Sequence, residues 1–394
     1  MKFLVLSGHG VKINIDSGRL HVQDGRTCVD KEPEKFVFKP KRCEYDNILV
    51  YGHNGHITFE AMRWLVKQNI QLTLLDWNGR LLTNILPIEA KQTKLKFLQY
   101  RAYESQERIS IAKNIINAKI QNSKVVLIWL KQKYPQINDS IEKEYSKLAS
   151  QKTIHDIMTV EARVAQIYWK EVSKVFDKKF EFVFRANPNR PMGAVDPINA
   201  LFNYGYALLE AQCHRAINAS GLDTHVGFMH EVNQGKTPLV YDLQEPFRCL
   251  IDLAIINSLE KKVFQKEDFI RTENYNIKLK PSGAKKLVQE VEAAFSQRVF
   301  YRDGNRAWAY IIMMKANELA QYLMGKHNAL DFSKPSLELT REDDFELRQK
   351  ILGLTHTEAK QLGIIKSELH YLRKKARSEK PFYVQKRVRE RIMT

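Results

Sequence analysis

The chain has 394 residues, 44% hydrophobic and 27% charged, an ordinary balance for a soluble folded protein long enough for two or three units. Lys and Arg number 63 against 45 Asp and Glu, a net charge of +18, and such a surplus attracts phosphate polyanions, so nucleic acid is the first partner to expect. Cys28, Cys43, Cys213 and Cys249 lack CxxC spacing, which argues against a zinc centre and fits a reducing cytoplasm. The Phe3–Leu6 run is too short for a signal peptide, and the apolar stretch Ala307–Met314 falls short of the roughly 20 residues of a membrane span. A cytoplasmic chain is expected.

In chain order, strands come first. Phe3–Leu6, Val11–Ile15 and Arg19–Val22 cluster β-branched residues between glycines, and Asn47–Tyr51 and Gln71–Leu75 are further short apolar runs. Asn78–Gly79 is a hairpin turn signal. Phe59, Met62, Leu65 and Val66 recur at helical spacing and predict a helix over Thr58–Gln68. Residues 1–88 therefore read as a β domain carrying a helix. From there to residue 340 the texture is helical: Lys94–Leu130, Asp156–Phe176, Asn199–Ala219, Pro238–Leu259, Lys285–Val299 and Arg306–Met324. The fold class is α+β, with an all-α domain over 89–340. The region Asn328–Asp344, with Pro335 and mixed charges, reads as a linker.

Residues 341–394 form a third unit. Ala359, Gly363, Leu369 and Leu372 have the spacing of a helix-turn-helix, with a small residue at the helix crossing, glycine in the turn and leucines on the buried face. From Lys366 to Thr394 there are ten Lys and Arg against three Glu. Ser367, His370, Tyr371, Arg373 and Lys374 are expected to face outward toward a DNA groove.

Two segments carry candidate chemistry. In the first, Glu161 shares a helical stripe with Val164, Ala165 and Tyr168, where a carboxylate costs desolvation unless a cation meets it. From that segment alone, an ion pair with a Lys or Arg from elsewhere is a better explanation than a metal. In the second, His230 precedes a glycine-containing loop, and Asp242 and Glu245 stand three apart on the next helix. Two carboxylates on one face repel unless a cation compensates; Arg248 or a divalent ion fills that role. One imidazole with carboxylates and no thiolate suits Mg²⁺ or Mn²⁺, the ions of nuclease and strand-transfer chemistry. No GxxxxGK[ST] loop occurs, and no GxGxxG follows a strand, so no nucleotide cofactor is expected. Arg163, Arg185, Arg190, Lys236 and Arg248 are candidate phosphate contacts; Tyr204 and Tyr206 are expected to pack helices.

Taken together, Leu49-Val-Tyr-Gly52, Leu74-Leu-Asp-Trp-Asn-Gly79, the Glu161 helix, Asp196-Pro-Ile-Asn-Ala-Leu-Phe-Asn-Tyr-Gly-Tyr206, Gly227-Phe-Met-His-Glu231 and Leu239-Val-Tyr-Asp-Leu-Gln-Glu-Pro-Phe-Arg248 resemble, in order and spacing, the CRISPR spacer-acquisition endonuclease and integrase family. The likeness covers about residues 1–330. It implies that Glu161, His230 and Glu245 bind the catalytic ion with Asp242 as an acidic neighbour, and that a DNA 3′-hydroxyl attacks a target phosphodiester. It also implies a homodimer built through the β domain and, in a CRISPR setting, assembly with a second Cas protein. The basic tail departs from many members. Casposases, related transposon integrases that need no second Cas protein, carry such an appendage, and so do some archaeal CRISPR members, so CRISPR spacer acquisition is the first expectation and the casposase its alternative. A non-catalytic regulator built on the helix-turn-helix is the alternative from another class.

Overall fold

The computed structural model describes residues 2–27, 32–76, 79–85, 92–138, 140–183, 193–337, 345–377, 388 and 391–392. The chain divides into two compact units, residues 1–337 and 338–394.

The first unit opens on a six-stranded sheet. The two apolar runs expected near the start are one strand, β1 (Phe3–Asp16), whose register slips around His9 between Gly8 and Gly10. Strands β2 (Arg19–Gln23) and β3 (Lys35–Phe38) extend antiparallel from one side of β1. On the other side lie β4 (Asn47–Ile57) and β5 (Gln71–Leu75), both parallel, and then β6 (Leu81–Ile85), antiparallel. A parallel neighbour needs a crossover, and helix α1 (Phe59–Lys67) supplies it between β4 and β5. Thr58 caps α1 by accepting from the Ala61 N–H. Ala61, Trp64 and Leu65 then pack with Leu4, Leu6, Ile13 and Ile48 into the core of this part. Asn78 lies outside the described residues, but the turn expected there closes through bonds from Gly79 N–H to the Asp76 carbonyl and Asp76 N–H to the Arg80 carbonyl.

Helices follow. The single stretch expected over Lys94–Leu130 is two, α2 (Thr93–Tyr103) and α3 (Glu107–Lys133). After the one-turn α4 (Glu142–Tyr145) come α5 (Ile154–Val172), capped by Thr153, and α6 (Pro197–Ser220), capped by Asp196. The helix expected over Pro238–Leu259 is also divided, into α7 (Pro238–Gln244) and α8 (Arg248–Glu260), by a tight turn over Glu245–Phe247. Pro246, which has no N–H to donate, marks the break. The remainder is helical as expected, with two short hairpins that the helical reading passed over. Strands β7 (Phe269–Arg271) and β8 (Ile277–Leu279) precede α9 (Pro281–Ser296). Strands β9 (Arg298–Tyr301) and β10 (Gly304–Ala307) precede α10 (Trp308–Leu323).

Helix α6 is buried along most of its circumference and forms the hub. The sheet packs on it through Tyr51 and Tyr204, ring centroids 5.1 Å apart, and through the Gln71 amide, which donates to the Ala211 carbonyl. Helix α9 joins the sheet from another side through Phe3 against Phe295 and an ion pair of Lys285 with Asp24 at 2.7 Å. The sheet and the helices on either side of residue 88 therefore make one body. The start of the expected linker belongs to it as well. Asn114 of α3 accepts from Phe332 N–H, Lys315 donates to the Asp331 carbonyl, and Phe332 and Leu337 are buried.

One half-buried acid on the hub gives a pH signature. Burial pushes the Glu210 carboxyl up to about 7 from an ordinary 4.5. Between those values the folded chain keeps a proton that the unfolded chain releases, so stability falls as pH rises through that window. Glu210→Gln is expected to stabilise the protein at pH 8 by up to about 3 kcal/mol and to change nothing near pH 4. Melting curves at the two pH values check this; coincident curves at pH 8 refute it.

The second unit holds α11 (Phe345–Gly353), α12 (His356–Gln361) and α13 (Lys366–Ala376) around Leu347, Ile351, Ala359, Leu369 and Leu372. Thr355 and Glu358 cap α12 reciprocally. Gly363, at φ +70°, makes the turn into α13 in a backbone region that disfavours a side chain. Ser367, His370, Tyr371 and Lys374 are exposed on α13. Arg373 is a correction to the outward set: its guanidinium turns back to donate to the Leu354 carbonyl, which it holds against the end of α11.

Candidate active site

Helix α5 presents Glu161, Val164, Ala165 and Tyr168 in one stripe, as their spacing predicts, and all four line a cavity of about 300 Å³. Lys119, Asn122 and Ser123 of α3 face them, with Tyr206 of α6 and Glu245, Arg248 and Asp252 from the tight turn and α8. The break between α7 and α8 is what aims Glu245 inward. Asn122 donates to the Pro246 carbonyl at 2.9 Å and Gln244 to the Tyr206 carbonyl at 2.7 Å, so the turn is tied to both neighbouring helices.

The charges are arranged around one ammonium group. Lys119 Nζ contacts Glu161 Oε1 and lies 2.5 Å from Glu245 Oε2. Glu245 has a second cation in Arg248, whose Nη1 is 3.4 Å from Oε1 and whose guanidinium stacks 4.0 Å over the Tyr206 ring. Burial opposes the charge on Glu245, but Lys119 and Arg248 outweigh it and hold the carboxyl well below the usual range. Burial likewise opposes the charge on Lys119, and Glu245 and Glu161 outweigh it and raise that pKa. At the floor of the cavity Asp252 accepts from the Tyr168 and Tyr206 hydroxyls at 2.7 and 2.5 Å.

His230 is placed by a different device. The segment 221–237 between α6 and α7 has no regular structure and is held by side chains. Gln99 donates to the Asp223 and Val226 carbonyls, and Arg108 donates to the Phe228 carbonyl and pairs with Glu231 at 2.9 Å. Asp242, fully buried, accepts from the backbone N–H groups of Phe228, Met229 and His230 and pairs with His230 Nδ1 at 2.7 Å. Gly227 permits that approach; a Cβ there would stand 2.8 Å from Asp242 Oδ2. A carboxylate only accepts, so it holds the hydrogen on Nδ1 and leaves the Nε2 lone pair for other work. Burial lowers the pKa of His230, but the bond to Asp242 and the charges of Asp242 and Glu245 prevail, and the net direction is upward.

Glu161 and Glu245 therefore converge, with His230 beside them but not among the cavity walls. Asp242 and Glu245, expected to share one face and one cation, instead serve different partners: Asp242 stands behind His230, and Glu245 faces Lys119. Among the described residues no three His, Cys, Asp or Glu side chains form a ready ligand group, and the Lys119 ammonium contacts both glutamates. The donor set nonetheless fits a hard divalent ion. Glu245 Oε2 is buried and receives no aligned hydrogen bond despite its contact with Lys119, and two carboxylates with one imidazole are the ligands Mg²⁺ or Mn²⁺ takes.

Among the candidate phosphate contacts, Arg248 lies in the cavity and Lys236 is exposed in the turn after His230. Arg163, half exposed, pairs with Glu144 at 3.6 Å. Arg185 and Arg190 lie outside the described residues. Tyr204, expected to pack helices, instead packs α6 against the sheet through Tyr51, and Tyr206 also walls the cavity. Lys119, Asp252, Asn122 and Arg108 escaped the sequence reading. Asp252 had a signal, a lone acid in the apolar run Leu250–Ile256.

A family model described as CRISPR associated protein Cas1 matches residues 4–293. The CRISPR-associated endonuclease Cas1 1 of Archaeoglobus fulgidus is 26% identical over 343 residues, covering 82% of this chain and 96% of its own. That of Francisella tularensis subsp. novicida is 25% identical, covering 83% and 98%. Among solved structures, a casposase bound to integration product is similar at a TM-score of 0.86 and 48% identity, over 90% of this chain and 99% of that one. A Cas1 protein from Thermotoga maritima shares the fold at a TM-score of 0.69 and 19% identity, over 83% and 98%.

Proposed function

The chain belongs to the CRISPR-associated Cas1 family, and from that premise we propose that it is a metal-dependent DNA endonuclease and integrase that joins DNA 3′-hydroxyl ends to a target strand by transesterification. The observation that carries this reading is the convergence of Glu161 and Glu245, from separate helical segments, on a single cation in a polar cavity with His230 beside it. Glu161, Glu245 and His230 would hold Mg²⁺ or Mn²⁺. When bound, the ion would polarise the phosphodiester and ease deprotonation of the attacking hydroxyl. Asp242 keeps the His230 ring in the tautomer that offers Nε2. Arg248, braced by Tyr206 and Glu245, supplies a fixed positive charge for a phosphate oxygen, and Asp252 fixes the two tyrosines that shape the wall.

The casposase setting is the better supported of the two. The 90% share matched by the casposase exceeds what the 337 residues of the first unit amount to, so that likeness reaches into the basic second unit. The family match ends at residue 293. The exposed face of α13, with Ser367, His370 and Lys374, then adds duplex affinity. The partners proposed are branched or double-stranded DNA and a second copy of the chain, joined through the sheet. A regulator without catalysis would account for the ion pairs of Glu161 and Glu245 with Lys119 and Arg248 but would give the histidine buttressed by Asp242 no role.

The test is strand cutting and joining of labelled oligonucleotides by the purified chain alone. Product is expected with Mg²⁺ or Mn²⁺ and without a second Cas protein, to vanish in a chelator, and to return on adding the ion. Undiminished product in chelator would overturn the metal-dependent reading.

A further inference from the structure

The ammonium of Lys119 stands where two carboxylates from different elements meet. Among the described residues it is the one cation in contact with Glu161, whereas Glu245 also has Arg248. Its contact with Glu245 Oε2 is close but not aligned as a hydrogen bond. The lysine is anchored on α3 by its backbone, carries its charge on a four-carbon stem, and lines a cavity into which that stem can swing. We propose that Lys119 is a resident counter-ion that a divalent metal must displace, so that loading of the site is an exchange of one cation for another and Lys119 sets the metal affinity. This rests on the metal-dependent reading above.

The physical case is charge balance. With Lys119 inward, two glutamates face one lysine and one arginine, and the group is neutral. An ammonium and a divalent ion cannot both occupy the space between the glutamates, since like charges a few ångströms apart repel strongly in a partly buried site. Metal entry therefore requires the lysine to leave. With the ion bound, the two glutamates, Lys119, Arg248 and the metal would together carry a net positive charge, which suits an incoming phosphodiester. Neutralising the glutamates also keeps them together in the absence of metal, where their repulsion would otherwise push α5 away from the turn that carries Glu245.

A competing inward lysine lowers the apparent metal affinity by the fraction of time the site is free. Titrating Mn²⁺ into the metal-stripped full chain by calorimetry should show Lys119→Gln binding about tenfold or more tightly than wild type, as expected if the lysine is inward at least about nine-tenths of the time. Its melting temperature should also rise further on Mn²⁺ addition. Lys119→Arg, which keeps the charge, should not gain affinity. On the wild-type chain, acylation of Lys119 followed by mass spectrometry should quicken several-fold when Mg²⁺ is added; this measurement does not depend on a variant folding. If wild type binds Mn²⁺ and Lys119→Gln binds no more tightly, or if Mg²⁺ leaves the acylation rate unchanged, the exchange is refuted and the metal reading stands. If neither wild type nor Lys119→Gln binds Mn²⁺, both fall.

Discussion

His230→Ala is expected to reduce strand cutting and joining by more than about 100-fold, since loss of a ligand of the proposed ion costs more than the roughly 10–100-fold typical of losing the partner behind one, while leaving the chain folded. The structural argument for a selective effect is that His230 does little for stability. Its side chain is about a third exposed, and its backbone N–H still reaches Asp242 after truncation. Asp242 loses one donor of four and keeps the three backbone groups. The ring packs edge-on against Tyr241, a contact at the surface of the site. Product strands on a denaturing gel, with circular dichroism as the fold control, decide the matter. A folded His230→Ala protein working at the wild-type rate would remove the imidazole from the chemistry.

The second large effect belongs to the residue behind it. Asp242→Ala deletes an acceptor that satisfies three main-chain N–H groups in a fully buried position. Stability should drop by roughly 3–5 kcal/mol, as when one partner of a buried charged pair is removed, and denaturant unfolding measures it. Activity should fall by about 10–100-fold at a temperature where the variant is still folded, because the imidazole loses the partner that fixes its tautomer and orientation. His230→Ala and Asp242→Ala thus separate by signature: one is inactive and stable, the other weakened in both respects. A stability loss below about 1 kcal/mol in Asp242→Ala, less than an unsatisfied buried donor usually costs, would contradict the bonding described here.

The sequence disclosed this site unevenly, and the reasons are physical. Glu161 was visible because helical periodicity places it with Val164 and Tyr168, and an acid on an apolar stripe asks for a cation. The identity of that cation was not visible. Lys119 sits in a helix rich in Lys, Asn and Gln, where one lysine resembles the rest until α5 packs against it. The roles of Asp242 and Glu245 were blurred by treating residues 238–259 as one helix. The turn at Pro246 rotates the second carboxylate away from the first, and spacing alone does not register that rotation. Arg373 looked outward by its position on the recognition helix, but the carbonyl left open at Leu354 draws it back. Strands β9 and β10 went unread although Asp303–Gly304 is a hairpin signal, because the flanking helical texture on both sides was stronger. The overall order of sheet, helical hub and basic tail was legible because it depends on local patterning, whereas the cavity depends on contacts between distant segments.

The unstructured segment that carries His230 is ordered by Gln99 and Arg108, residues 120 or more positions earlier in the chain. Such long-range closures come late, because much chain must be gathered before they form. The position of the imidazole is therefore coupled to the packing of α2 and α3, so a substitution at Gln99 or Arg108 acts on the site from far along the chain.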